Sequence, residues 1–282
     1  MAPIAGYWGE PTSTLDWCEE NYIVTQYIAE FWNTLSNLAM IVPSFAGLYY
    51  AFRNNLERRF MLCFISLALV GCGSWNFHMT LLYEMQLFDE LPMLWGSLML
   101  VYALVSHLYE SMERSALRNA LLKLSLIAYG VICTVIYLSF KTPILFQVAY
   151  GVLVTLMLYY DIAVVRTKQC SVRIFYSAVF FYYCGFGLWC IDNFACEWLR
   201  GLRTDTLPAV LSPLTQLHAW WHFMAGYGAY LHILFCAHSR SLHRNGGSEP
   251  LTVRFTWYTG IVLDRLKGPE EQLSKLPAKK EQ

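Results

Sequence analysis

His218 and His222 lie four residues apart in Thr215-Gln216-Leu217-His218-Ala219-Trp220-Trp221-His222-Phe223, inside the last long apolar run of the chain. On a helix this spacing puts both imidazoles on one face, about 6 Å apart along the axis. It is the spacing with which a helix offers two nitrogens to one zinc ion. A lone histidine in an apolar segment is often only a satisfied polar group. A pair with a third histidine in reach asks for a metal. The third comes from Gly73-Ser74-Trp75-Asn76-Phe77-His78-Met79-Thr80, where Ser74 and His78 again share a helical face. Asp89 follows in Leu87-Phe88-Asp89-Glu90. Three neutral imidazoles and a carboxylate at one depth have the composition of a catalytic zinc site with an open position. Zinc so held lowers the pKa of its water towards ~7, and Ser74 could polarise a carbonyl under attack. Ala219 stands where zinc metalloproteases carry the glutamate after the first histidine. A base must come from elsewhere, and Asp89 is nearest in depth.

The elements that must position these residues are membrane helices. Of the 282 residues 56% are hydrophobic and only 14% charged, against about 25% charged in soluble domains. Net charge is zero, which gives no case for nucleic acid. Apolar runs near the ~20 residues needed to cross a bilayer fall at roughly 27–50, 60–82, 87–108, 121–140, 143–165, 174–192 and 209–236. The expectation is an all-α bundle of seven membrane helices over 27–236. A segment 1–26, with no signal peptide, precedes it, and a tail 237–282 follows, with no second soluble domain. Seventeen basic residues lie on the side of the C-terminus and three (Lys141, Arg200, Arg203) on the other. That asymmetry predicts a lumenal N-terminus and a cytosolic C-terminus. By parity, His78, Asp89 and His218 then share the lumenal end. A site at membrane depth without Lys or Arg in the helix interiors suits an uncharged lipid amide or ester better than a phosphate.

Segment 1–26 contains Thr14-Leu15-Asp16-Trp17-Cys18-Glu19-Glu20-Asn21, and Glu30 stands at the entry to the first helix. These residues read either as a solvated acidic lead-in, with a helix cap at Thr14 or Asp16, or as a Ca²⁺ site of carboxylate, amide and carbonyl oxygens. The spacing is not that of an EF-hand. Tyr150 reads as a packed tyrosine, and Asp192 with Asn193 as polar groups at a helix end. Asp161 reads as a boundary acid without a special role, and Glu197, Arg200 and Arg203 as a solvated loop. His232, about 15 Å along the axis from His222, is too far to share its metal.

Several blocks resemble the alkaline ceramidase family. They are Ser13-Thr14-Leu15-Asp16-Trp17-Cys18-Glu19-Glu20-Asn21-Tyr22, Tyr27-Ile28-Ala29-Glu30-Phe31-Trp32-Asn33-Thr34, Phe77-His78-Met79-Thr80-Leu81, Gln86-Leu87-Phe88-Asp89-Glu90-Leu91-Pro92-Met93 and Gln216-Leu217-His218-Ala219-Trp220-Trp221-His222. The resemblance runs from Gly6 to about residue 245, and nothing is carried over beyond. It implies an intramembrane amidase that cleaves ceramides, phyto- and dihydroceramide among them, into a sphingoid base and a fatty acid. It implies zinc on His78, His218 and His222, Ser74 and Asp89 as catalytic neighbours, and Tyr150 in the pocket. It further implies Ca²⁺ on Asp16, Trp17 (through its carbonyl), Glu19, Asn21 and Glu30, and a Cys18–Cys196 disulfide, which parity puts on the oxidising side. The implied location is the membranes of the endoplasmic reticulum and Golgi, and no obligate protein partner is expected. An adiponectin-receptor-like zinc protein shares seven helices and three histidines, but its opposite orientation conflicts with the charge split. A G-protein-coupled receptor lacks its Asp-Arg-Tyr and Asn-Pro-x-x-Tyr signatures here, and a transporter would spread polar groups through the whole depth.

Overall fold

The computed structural model describes residues 6–208, 210–243, 251–256 and 260–265. Helices α1 (Phe31–Ser36) and α2 (Leu38–Arg53) form one apolar rod interrupted at Asn37, followed by α3 (Arg58–Thr80) and α4 (Tyr83–Leu108). A short α5 (Glu110–Arg114) leads to α6 (Ala116–Phe140), α7 (Pro143–Thr167) and α8 (Val172–Phe194). After α9 (Cys196–Gly201) and irregular turns comes α10 (Leu217–His243). Among the described residues six units are long and apolar enough to cross a membrane: Phe31–Arg53, α3, α4, α6, α7 and α8. Helix α10 has 27 residues but is not among the six. His218, His222, His232, His238 and His243 dilute its hydropathy, so the features that make it the chemical helix weaken its membrane signal. The apolar run expected from 209 becomes α-helical only at Leu217, after a single 3-10 turn over Ser212–Thr215 that holds Pro213.

Buried side chains from Tyr230 to Ala237 make α10 the core of the bundle, packed mainly on α8 and also on α1, α2 and α3. Helix α3 packs chiefly on α4 and α2, and α4 on α7. At Gly73 a Cβ would collide with the Phe88 carbonyl, so only glycine lets α3 and α4 approach here, beside Ser74 and Asp89. Leu117, Leu121, Leu124, Ile127, Ile132 and Val135 leave α6 with an exposed apolar face, as lipid contact requires.

The all-α expectation is corrected at the C-terminal end. Strands β1 (Leu251–Thr256) and β2 (Gly260–Arg265) pair antiparallel. Polar and apolar residues alternate in β1, and Gly260 supplies the positive φ (+75°) at the start of β2. The hairpin docks through Tyr230 Oη to the Ile261 carbonyl (2.8 Å) and through Asn54 to Leu263 and Arg265. The expected tail boundary at 237 also moves, since α10 runs on to His243. Residues 244–250, 257–259 and 266–282 of that tail lie outside the described residues.

Candidate metal centre

A helix leaves its last carbonyls without partners. At the end of α3 they are taken up by the N-terminal segment. Leu81, itself in a left-handed conformation (φ +54°), accepts from Thr12 and Ser13. Met79 accepts from Ala29 and His78 from Glu30, at 2.9 Å each. This last bond lays Glu30 against the His78 ring, where Oε2 meets Nδ1 at 2.5 Å. The orientation of one histidine is thus set by how the segment before α1 caps α3.

His78, His218 and His222 are all buried and bring one ring nitrogen each within 4.8 Å of one another. His222 Nδ1 lies 3.0 Å from the Asn33 carbonyl and 2.9 Å from Ser36 Oγ, and Ser36 itself donates to Asn33. Acceptors on that side make Nδ1 the donor and leave Nε2 with a free lone pair. His218 stacks on Trp17, ring centres 3.8 Å apart, and its buried Nδ1 has no protein partner. Convergent imidazoles, two oriented through Nδ1 and one with an unpartnered nitrogen, fit a metal ion.

Ser74 Oγ is 3.4 Å from His222 Nε2, and Asp89 stands beside Ser74. Ser74 thus lies at the edge of the three histidines with Asp89 next to it. Tyr150 is set farther back. Its hydroxyl pairs with Tyr182 (2.9 Å), whose ring meets Trp221 of α10 edge-on. Among the described residues neither makes a hydrogen bond or ring contact with a histidine of the centre.

Of the expected calcium residues, Asp16 and Glu19 lie near Glu30, and two of the set's oxygens are unspent. Glu30 Oε1 and Asn21 Oδ1 are buried without partners. Glu19 spends both oxygens on Trp32 N and Asn33 N, 2.8 Å each, at the first turn of α1. The Trp17 carbonyl takes a long bond from Arg200, and Asp16 is exposed but close enough to act on Glu30. Burial, then the nearby charge of Glu30, pushes Glu19 up to about 8; burial likewise takes Glu30 to about 8, with Asp16 and Asp192 adding to it. Burial disfavours the ionised carboxylates, and a cation among them would offset that cost, so the residues present fit one. No helix starts at Thr14 or Asp16: Thr14 instead binds Gln86 of α4.

Cys18 and Cys196 are joined, with Cα atoms 5.3 Å apart. Asp192 accepts from Cys18 N and His218 N, tying this segment to the start of α10. The expected solvated loop is corrected at Arg203, which is buried against the Cys18 carbonyl and Glu20. A partner 185 residues away leaves no trace in local sequence. Ser36 and Asn33 were also missed. Their signal was present: two small polar residues three apart in an otherwise apolar helix.

The model of the Ceramidase family matches residues 9–265. That carries the similarity some twenty residues past the expected limit near 245, through both strands of the hairpin. The chain is 46% identical to mouse Alkaline ceramidase 3 over 247 residues, 86% of this chain and 91% of that one. It is 34% identical to Alkaline ceramidase YPC1 of Saccharomyces cerevisiae, over 86% of this chain and 81% of the relative. To the Alkaline ceramidase of Arabidopsis thaliana it is 30% identical, over 83% and 87%. With a family match over residues 9–265 and 46% identity across most of the chain, the chain belongs to the ceramidase family of hydrolases.

Proposed function

We propose that the protein is a zinc-dependent intramembrane amidase that hydrolyses the N-acyl bond of ceramides, phyto- and dihydroceramide included, to a sphingoid base and a fatty acid. The observation that carries this is the convergence of His78, His218 and His222 beside the Ser74–Asp89 pair inside an apolar bundle. When bound, zinc supplies Lewis acidity towards a carbonyl oxygen and towards water. Glu30 holds the His78 ring, and Asn33 with Ser36 holds that of His222, so both are set before substrate arrives. Asp89 takes a proton from the attacking water and hands it to the amide nitrogen as the C–N bond breaks. Ser74, beside Asp89, turns its hydroxyl to the oxygen on which charge develops. Tyr150, through Tyr182, shapes the pocket wall behind Trp221.

In this reading α10 is the seventh crossing, 1–26 is lumenal and the C-terminal end is cytosolic, in the membranes of the endoplasmic reticulum and Golgi. Asp16, the Trp17 carbonyl, Glu19, Asn21 and Glu30 hold Ca²⁺, and the Cys18–Cys196 bond secures that segment in an oxidising lumen. The test is purified protein given ceramide in mixed micelles, with sphingoid base and fatty acid quantified alongside bound zinc. Chelation should abolish product and zinc readdition restore it. Turnover that survives complete loss of zinc overturns the metal assignment, and no product from any ceramide overturns the substrate.

A further inference from the structure

Helix α10 uses the four-residue ligand spacing twice. Ten residues after His222 comes His232, and four after that Cys236, on one face by the same geometry as His218 and His222. Asp161 of α7 faces them, its carboxylate oxygens 3.0 and 2.9 Å from His232 Nε2. Donor atoms of Asp161, His232 and Cys236 all lie within 4.8 Å of one another. Asp161 and Cys236 are buried, while the His232 side chain keeps 15% of its surface, which leaves a way in. Asp161 is thus no idle boundary acid.

We propose that Asp161, His232 and Cys236 form a second metal site, distinct from the three-histidine centre, that takes a borderline-soft divalent ion such as zinc. One oxygen, one nitrogen and one sulfur donor are a set zinc accepts, whereas calcium and magnesium want oxygens only. Charge favours it as well. A carboxylate, a neutral imidazole and a thiolate bring the total with Zn²⁺ to zero, which suits an apolar interior. Binding needs an unprotonated imidazole and a thiolate, so metal uptake competes with protons. The ion would be a staple. Helix α7 packs mainly on α4 and α10 mainly on α8, and the Asp161–His232 pair links the two helices. The rise from His222 to His232 is about 15 Å, which keeps the ion clear of the hydrolytic centre.

The full-length protein in detergent micelles tests this by metal content and by cobalt substitution. Two equivalents of zinc per chain are expected for the unaltered protein, and one each for Cys236→Ala and for His222→Ala. With Co²⁺, the unaltered protein and His222→Ala should show a thiolate-to-cobalt charge-transfer band in the near ultraviolet, and Cys236→Ala should lack it. Asp161→Asn should weaken that band. Should Asp161→Asn not fold, Cys236→Ala and Cys236→Ser carry the comparison, since both keep the side-chain volume small. A zinc content unchanged by Cys236→Ala, with no thiolate band in the unaltered protein, overturns the proposal. Because the band is read separately from hydrolysis, failure of the three-histidine centre would leave this result intact.

Discussion

In the proposed zinc site His78, His218 and His222 would each contribute one nitrogen, and three ligands leave none to spare. Replacing any one with alanine should abolish ceramide hydrolysis and remove one zinc equivalent, as read by metal analysis beside turnover. Asp89→Asn should lower kcat by about 10²- to 10⁴-fold with KM nearly unchanged, because a proton-transfer group acts in the transition state. A change confined to KM would make Asp89 a substrate contact. Ser74→Ala should follow the same pattern more mildly. Glu30 is the residue whose reading changes most. As a calcium ligand alone it could be replaced without loss of zinc, but its Oε2 holds His78 Nδ1. Glu30→Gln should therefore weaken zinc binding about 10- to 100-fold, measured by chelator competition. The histidines were legible because one helical period relates two of them and depth supplies the third. Glu30's second duty was not, because it depends on an inter-segment bond from Glu30 N to the His78 carbonyl.

Among elements, the segment before α1 is the one with structure but no regular form. It is held by α3 carbonyls, by Asp192, by Arg200 and Arg203, and by the bond from Cys18 to Cys196 across 178 residues. Removing that bond with Cys18→Ser and Cys196→Ser should cost about 2–5 kcal/mol, seen as a lower Tm that reductant no longer changes. At the far end of the bundle α5 offers a pH-sensitive counterpart. Burial alone would raise Glu113, but hydrogen bonds from Arg59 and Arg240 outweigh it and hold its carboxyl below the usual range. A depressed folded pKa gives stability that is present above the unfolded value and lost as pH falls through the folded one. Melting temperature should accordingly fall on acidification below the ordinary carboxylate range, and Glu113→Gln should flatten that slope. Of these ties the resemblance implied only the disulfide, and the ion pairs were not visible in the sequence. Arg203 with Glu20 and Arg240 with Glu57 are each 183 residues apart, beyond any periodicity.

At the scale of the molecule, composition and hydropathy made the helical membrane bundle legible, and helix ends fell within a few residues of the expected runs for α4, α6, α7 and α8. The hairpin stayed hidden because two six-residue strands carry little signal beside runs of twenty. Orientation rests on the basic residues alone. A glycosylation acceptor placed near Gly9 should therefore be modified in microsomes, while a tag at the C-terminus should be open to protease from outside the vesicle. The reverse pattern would invert the bundle and move the three histidines to the cytosolic leaflet.

One carboxylate joins the two proposed ions: Glu30 gives Oε2 to His78 and keeps a buried, unpartnered Oε1. Thermodynamic reciprocity then applies. Whatever factor calcium contributes to zinc affinity by fixing that carboxylate, zinc must return to calcium affinity. A protein stripped of zinc should bind calcium more weakly by the same ratio, and Glu30→Gln should bring that ratio to one. The lumenal concentration of one ion would then set the occupancy of the other, so an ion that never meets the substrate would still govern how many copies of the enzyme are loaded to cleave it.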